Sequence, residues 1–329
     1  MEATAIAHTN IALIKYWGKK DEKLNLPAVG SISITLKQLF TQTKVRFSEK
    51  LQQDFFILNG LESGEDQRSR VSRFLDLNRE IAGSSLFAEV ISNNNFPTGA
   101  GLASSASGFA ALSLAANKAL GLNLSQRELT IMARRGSGSA ARSVYGGFVE
   151  MKTGGNETNS DAYAVQIADE SYWPLKMLIA ITSDAEKKIG STDGMKVTAK
   201  TSPYYSAWLA SSVNDLAEMR TAIARKDFKK LGALAENSCL KMHGLALSAK
   251  SGLIYWNGAT LNVMHAVREM RKNNLQAYFT VDAGPQVKVI CEEPAAAAVK
   301  EELAKVDGVM EIIFTGLGPD AKIIGEEEN

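Results

Sequence analysis

Three serines, three glycines and no charged side chain lie between Pro97 and Gly108, in the run Pro-Thr-Gly-Ala-Gly-Leu-Ala-Ser-Ser-Ala-Ser-Gly. A loop of such small residues lets backbone N–H groups come close to an anion, and a helix starting there adds partial positive charge. The hydroxyls can bond phosphate oxygens or complete a Mg²⁺ shell. No Gly-Lys-Ser/Thr closes the loop, so it is not a Walker A motif, and its glycine spacing does not fit the dinucleotide fingerprint. A Gly/Ser turn of this kind is more often only a helix N-cap. An apolar run at 87–92 before it and an Ala/Leu-rich helical pattern after it favour a phosphate cradle.

Three further stretches carry chemistry. Residues 134–143 read Arg-Arg-Gly-Ser-Gly-Ser-Ala-Ala-Arg-Ser, which sets backbone freedom, hydroxyl donors and a guanidinium side by side. Arginine suits bidentate recognition of carboxylate or phosphate. Cationic helix ends facing the dipole would explain Arg134 and Arg135, but not the alternating Gly and Ser followed by Arg142. At 10–19 the sequence is Asn-Ile-Ala-Leu-Ile-Lys-Tyr-Trp-Gly-Lys. Lysines beside aromatics usually snorkel along apolar surface, so alone this is a weak motif. At 279–285, Phe-Thr-Val-Asp-Ala-Gly-Pro ends an apolar strand on an acid before a Gly-Pro turn. Asp282 there is either a turn former or a functional carboxylate, which would need a nearby cation. His8, His243 and His265 are scattered without a nucleophile elbow and read as structural. Cys239 and Cys291 read as buried reduced thiols, and the absence of CxxC or a His/Cys cluster argues against a zinc site.

These stretches need elements to hold them. Strands are expected at 3–13, 31–36, 41–47, 55–58, 87–92, 148–152, 176–182, 277–282, 287–291 and 309–314. Helices are expected at 66–81, 105–120, 126–135, 204–225, 227–247, 258–273 and 295–304. Ser125 and Glu128 form a capping-box pattern for the third of these helices, 126–135. Residues 190–195 read as a small polar turn, 153–161 as a surface loop and 326–329 as a frayed acidic tail. The chain has 329 residues, 37 Lys and Arg against 36 Asp and Glu, and is 45% hydrophobic. That is an ordinary globular balance, and it argues against nucleic acid as the main partner. No apolar run approaches the roughly 20 residues that span a bilayer. The run 6–14, broken by His8, Thr9 and Asn10 and stopped by Lys15, does not read as a signal peptide. A cytoplasmic protein is expected, α+β in class, with two packed α/β subdomains at 1–185 and 186–329 and the reaction site in the cleft between them.

Taken in order, the four stretches resemble the mevalonate diphosphate decarboxylase family. It lies within the superfamily of galactokinase, homoserine kinase, mevalonate kinase and phosphomevalonate kinase. The matching segments are His8 to Lys19, the serine loop at 97–108, Arg134 to Ala140 leading to Arg142, and Thr280 to Pro285; Gly190 to Met195 with Thr201-Ser202 is also similar. The resemblance implies ATP-dependent decarboxylation of mevalonate 5-diphosphate to isopentenyl diphosphate, with ADP, phosphate and CO₂. It implies Asp282 orienting the C3 hydroxyl or taking its proton, Lys15 as its cationic partner, and Arg142 on the substrate carboxylate with Asn10 at the same end. Tyr16, Lys19, Ser137, Ser139, Ser191 and Met195 would line the substrate site, with Ser31 beside them. Pro97, Gly99, Ala100, Gly101, Leu102, Ala103, Ser104, Ser105 and Ser107 would wrap ATP, and Ser104 and Ser105 would lie nearest Mg²⁺. A homodimer is implied by the family alone. Gly99 stands where the family loop commonly has Ala, which loosens the loop. Gly190-Ser191-Thr192 stands where many bacterial relatives have Ser-Ser-Arg, so one guanidinium is missing from the diphosphate end. The rival readings are a related kinase or decarboxylase acting on mevalonate or its monophosphate, and a catalytically silent binder on the same fold.

Overall fold

The structure, a computed structural model, describes residues 1–96, 102–155, 160–185, 189–250 and 252–325. The chain opens with strands β1 (Glu2–Ile14), β2 (Lys19–Asp21), β3 (Leu26–Pro27) and β4 (Ser31–Ser48). Strands β5 (Phe55–Leu58) and β6 (Leu61–Glu62), helix α1 (Glu65–Ala82) and β7 (Phe87–Asn94) follow. Next come helices α2 (Ser104–Ala119) and α3 (Gln126–Gly136), a 3₁₀ segment (Gly138–Val144), and strands β8 (Phe148–Met151) and β9 (Ala164–Ala168). After β10 (Leu175–Ile181) four helices run in succession: α4 (Ser191–Thr201), α5 (Tyr205–Ala224), α6 (Phe228–Ser248) and α7 (Gly258–Lys272). The remainder is β11 (Tyr278–Val281), β12 (Val287–Glu292), α8 (Ala296–Ala304), β13 (Glu311–Gly316) and β14 (Lys322–Ile324).

Strand β1 is buried on both faces from Ala7 onward, as a strand must be when helices cover one side and a second sheet the other. It pairs antiparallel with β4, Glu2 opposite Arg46 and Ile14 opposite Ile32. Two register shifts interrupt the ladder, between His8 and Asn10 and between Ala12 and Ile14. Irregularities of this kind re-aim side chains, and these two fall just before Asn10 and Lys15. The sequence reads β4 as two strands, because exposed Lys37 and Gln38 break its alternation. The structure runs it through as one, paired with β8 at its start and β7 at its end. The first sheet has the order β14-β1-β4-β7-β5-β6, with β8 and β9 joined through β4. Helix α2 packs on it and is buried nearly all round, which its Ala-rich composition permits. Helix α3 begins on the expected capping box: Ser125 Oγ accepts from the Glu128 N–H, and the Glu128 carboxylate from the Ser125 N–H. Loss of such a cap costs about 1 kcal/mol.

The second sheet, β11-β12-β10-β13, is antiparallel throughout. Helix α6 presses onto β11 at Gly232, where a Cβ would lie 2.1 Å from the Tyr278 ring. Ile11, Leu13, Ile32 and Ile34 of the first sheet share one apolar cluster with Leu175, Met177, Ile179 and Ile290 of the second. Each such side chain contributes about 1.5–3 kcal/mol on burial, so the halves are bound by a common core. Sheet membership does not change at residue 185. Strand β10, at 175–181, already belongs to the second sheet, and β14 returns to pair with β1. Residues 190–195 are not a free turn as expected: Gly190 N-caps α4, a helix hidden by Gly194 and three threonines. Among the described residues no helix is long and apolar enough to cross a membrane.

Candidate functional site

The ends of β1 and β11, from different sheets, bring Lys15 and Asp282 together. Lys15 is 1% exposed, and its Nζ donates to Asp282 Oδ1 at 2.6 Å. Its backbone N–H donates to Ser238 Oγ of α6 at 2.9 Å, which locks the strand exit. Lys288 of β12, fully buried, sets its Nζ 3.4 Å from Asp282 Oδ2. Burial alone would raise the Asp282 pKa, but the Lys15 and Lys288 ammoniums outweigh it and hold the carboxyl well below its ordinary value. The backbone just before Asp282 is gripped by α6. Cys239 Sγ accepts from the Val281 N–H at 3.1 Å, and His243 Nε2 lies 3.2 Å from the Val281 carbonyl. Burial first, and Lys15 second, bring the His243 pKa down to about 3, so the ring is neutral at pH 7 and Nε2–H is the donor.

Arg142 forms the second centre. It sits in the 3₁₀ segment, 2% exposed. Its Nε donates to Asn10 Oδ1 and Ser33 Oγ at 3.2 and 3.0 Å, Nη2 to Asn10 Oδ1 at 3.1 Å, and Nη1 to Ser31 Oγ at 2.6 Å. All these partners are neutral, and among the described residues no carboxylate pairs with it. Burial lowers its pKa to about 10, still charged at pH 7. Asn10 is itself fixed by donating to the Ser139 carbonyl at 3.0 Å and Ser143 Oγ at 2.7 Å.

Around Arg142 lie other polar groups short of partners. Tyr16 Oη is buried without a hydrogen bond among the described residues, as are Arg134 Nε and Nη1. Lys19 Nζ donates to the neutral Asn25 Oδ1 at 2.7 Å, while burial and the charge of Arg70 lower its pKa. Gly138 permits the close approach of Tyr16: a Cβ there would stand 2.3 Å from Tyr16 Oη. The Tyr16–Lys19 segment is pinned by Trp17, whose Nε1 donates to Thr198 Oγ1 of α4 at 2.8 Å and whose carbonyl accepts from Trp208 Nε1 at 3.0 Å. Met195 packs with Trp17, Trp208 and Ala283, and Ser191 opens α4 half-buried. Buried cations and a phenol whose partners are neutral or missing form a receptor for an anion.

Of the first Gly/Ser loop, Pro97, Thr98, Gly99, Ala100 and Gly101 lie outside the described residues. Ala103 caps α2 in the left-handed region, at φ 60°, and Ser104 and Ser105 are the first residues of the helix. Ser105 Oγ is 3.3 Å from Ser137 Oγ, itself 3.4 Å from Ser139 Oγ, so the two Gly/Ser loops meet through a chain of hydroxyls. Within the stretch assigned to the nucleotide, the helical period turns Ser107 inward, where it is fully buried with its hydroxyl 2.7 Å from Thr41 Oγ1. Leu102, just ahead of the helix, packs into the core. Sequence reasoning passed over Lys288, Ser33 and Ser238; Cys239 and His243, read as structural, are buried as expected and hold the backbone beside Asp282. A lysine inside the otherwise apolar strand Val-Lys-Val-Ile-Cys, six residues after Asp282, is the pattern that marks Lys288.

Residues 7–164 match the Diphosphomevalonate decarboxylase-like N-terminal domain, and residues 177–313 the Mevalonate 5-diphosphate decarboxylase C-terminal domain. Diphosphomevalonate decarboxylase of Debaryomyces hansenii is 37% identical over 331 residues, spanning 95% of this chain and 83% of the relative. Mevalonate diphosphate decarboxylase from Staphylococcus aureus superposes with a TM-score of 0.94 at 41% identity, covering 98% of each chain. The structure of MDDEF in complex with MVAPP, AMPPCP and magnesium gives a TM-score of 0.93 at 43% identity, covering 98% of this chain and 99% of that one. Both halves, their order and the shared fold agree: the chain belongs to the mevalonate 5-diphosphate decarboxylase family.

Proposed function

We propose that this chain carries out ATP-dependent decarboxylation of mevalonate 5-diphosphate, forming isopentenyl diphosphate, ADP, phosphate and CO₂. The observation that carries the reading is the Lys15–Asp282 ion pair joined to a pocket of cations with neutral partners around Arg142. A similar structure, MDDEF, is described in complex with MVAPP, AMPPCP and magnesium.

In this reading the substrate carboxylate lies on Arg142, whose guanidinium Asn10, Ser31 and Ser33 hold in one plane. The diphosphate tail takes Tyr16, Lys19, Ser137, Ser139 and the α4 entrance at Ser191, against Met195. Asp282 receives the C3 hydroxyl as a hydrogen-bond donor and accepts its proton as the γ-phosphoryl group of ATP transfers to that oxygen. A carboxylate of depressed pKa is a weak base, so orientation and late proton capture suit it. The C3–O bond then breaks, phosphate leaving with the electron pair, and the C1–C2 bond electrons form the new double bond as CO₂ departs. The protein supplies position and charge placement. Ser104 and Ser105, at a helix N-terminus, suit the ATP phosphates, and their hydroxyl oxygens suit Mg²⁺. Among the described residues no group of three or more His, Cys, Asp or Glu side chains gathers to hold a metal ion. Magnesium bound there would neutralise phosphate charge.

The reading extends to a cytoplasmic homodimer, supported by the family resemblance and by two buried free thiols; sedimentation tests the dimer. The activity is tested by supplying MgATP with mevalonate, its 5-phosphate or its 5-diphosphate and following ADP, phosphate and CO₂. All three products are expected with the diphosphate. ADP without CO₂ would assign a kinase instead, and no product from any substrate would assign a binder.

A further inference from the structure

We propose that Lys288 is a second positioning residue for Asp282, fixing the carboxylate from the side opposite Lys15. Lys15 holds one oxygen, Oδ1, at 2.6 Å. One contact leaves the carboxylate free to turn about its last torsion. Lys288 Nζ reaches the other oxygen, Oδ2, at 3.4 Å and also donates to the Gln286 carbonyl at 3.3 Å. The ammonium therefore joins the first and last residues of the turn that carries Asp282. The β-ladder sets it there: Thr280 faces Lys288 and Val281 faces Val287 across β11 and β12. Gln286 is anchored in turn, accepting from the Thr182 N–H at 2.7 Å and donating to the Ser183 carbonyl at 2.6 Å. Lys288 is 0% exposed whereas the Asp282 side chain is 26% exposed. The carboxylate thus presents its open face to the site, while the lysine stays behind it and touches no reactant.

A buried ammonium is costly unless something answers it, and in this interior that answer is Asp282. Burial pulls the Lys288 pKa down and the Asp282 charge pushes it back. The other groups facing the carboxylate keep one charge state across the working range. Arg142 is cationic, His243 of α6 is neutral down to about pH 3, and Cys239 of α6, raised to about 11 by burial, stays a thiol. Among these neighbours, Lys15 and Lys288 are the cations that set how readily Asp282 takes a proton.

The inference rests on the reading that Asp282 serves the C3 hydroxyl, and the test separates the two. In Lys288→Met, kcat is expected to fall about thirtyfold with both KM values within about threefold, because an orienting contact is lost rather than a binding one. The acid limb of the kcat–pH profile moves up by about one unit, since one of two cations has gone. Lys288→Arg, which keeps the charge, restores the limb toward its wild-type position. In an Asp282→Asn background, adding Lys288→Met changes residual turnover by less than about twofold, because the path of its effect is already cut. Folding is checked by a thermal melt, and the same measurements pass to Lys288→Gln if the Met variant does not fold. Wild-type kcat in the folded variant, an unmoved acid limb, or additivity with Asp282→Asn would each overturn the proposal. High turnover in Asp282→Asn alone would instead overturn the reading beneath it.

Discussion

Arg142 and Asp282 lie close enough to feel each other's charge, yet their surroundings differ in kind. Arg142 spends its donors on Asn10, Ser31 and Ser33, all neutral. Asp282 has two ammoniums for one carboxylate. A buried cation given dipoles but no counter-ion retains a strong pull on an incoming anion, because low dielectric leaves its charge poorly screened. A carboxylate with a surplus of cations has little left to bind with, but it is held in one orientation and kept ionised before the reaction. Under the proposed function the contrast divides the labour: the region poor in counter-charge would recruit the substrate, and the region rich in it would set up the reacting bond. Trp17 pins the Tyr16–Lys19 segment beside Arg142, and α6 grips the backbone just before Asp282.

The contrast can be broken from either side. The largest effect is expected at Asp282: Asp282→Asn keeps the shape, removes the proton acceptor and should lower kcat about a thousandfold in a steady-state assay. Arg142→Met comes next, raising KM for the diphosphate substrate about a hundredfold in the same assay. Because no counter-ion is lost, its stability in urea unfolding should move by less than about 2 kcal/mol. Gly138→Ala should raise KM about tenfold by forcing Tyr16 aside, with about 1–3 kcal/mol of stability lost to overpacking. The smallest effect at neutral pH concerns His243, whose folded pKa of about 3 lies below its ordinary 6.5. As pH falls below 6.5 the unfolded chain binds a proton that the folded chain refuses, so stability declines until about pH 3. Between pH 6.5 and 5 the wild type should lose about 2 kcal/mol more than His243→Gln, measured by urea unfolding at both values.

Much of this is legible in the sequence, for identifiable reasons. The Ser125–Glu128 box and the long helices announce themselves through local rules that tertiary structure has no cause to override. The four chemical stretches each have a structural use when read alone, as a helix cap, a snorkelling lysine or a turn-forming Asp, and carry their meaning taken together, in order, as the family resemblance. What stayed hidden was decided by contacts across the chain. Strand β4 reads as two because Lys37 and Gln38 emerge to solvent in mid-strand. Helix α4 hides behind glycine and threonine, and the short strand β14 has its pairing set by β1 over three hundred residues away. Lys288 escaped for the same reason: period-two logic treats a lysine in an apolar strand as an outward-facing residue, and only the Asp282 turn folding back over it supplies the partner. Ser107 shows the converse, a hydroxyl marked out by motif that the helix turns toward Thr41.

Calorimetric titration of mevalonate 5-diphosphate onto Asp282→Asn tests the division of labour most directly, with turnover measured on the same sample. If Arg142 and its neighbours recruit and Asp282 reacts, the dissociation constant stays within about threefold of wild type while turnover falls about a thousandfold. Turnover near the wild-type rate, or binding weakened as severely as in Arg142→Met, would contradict the account.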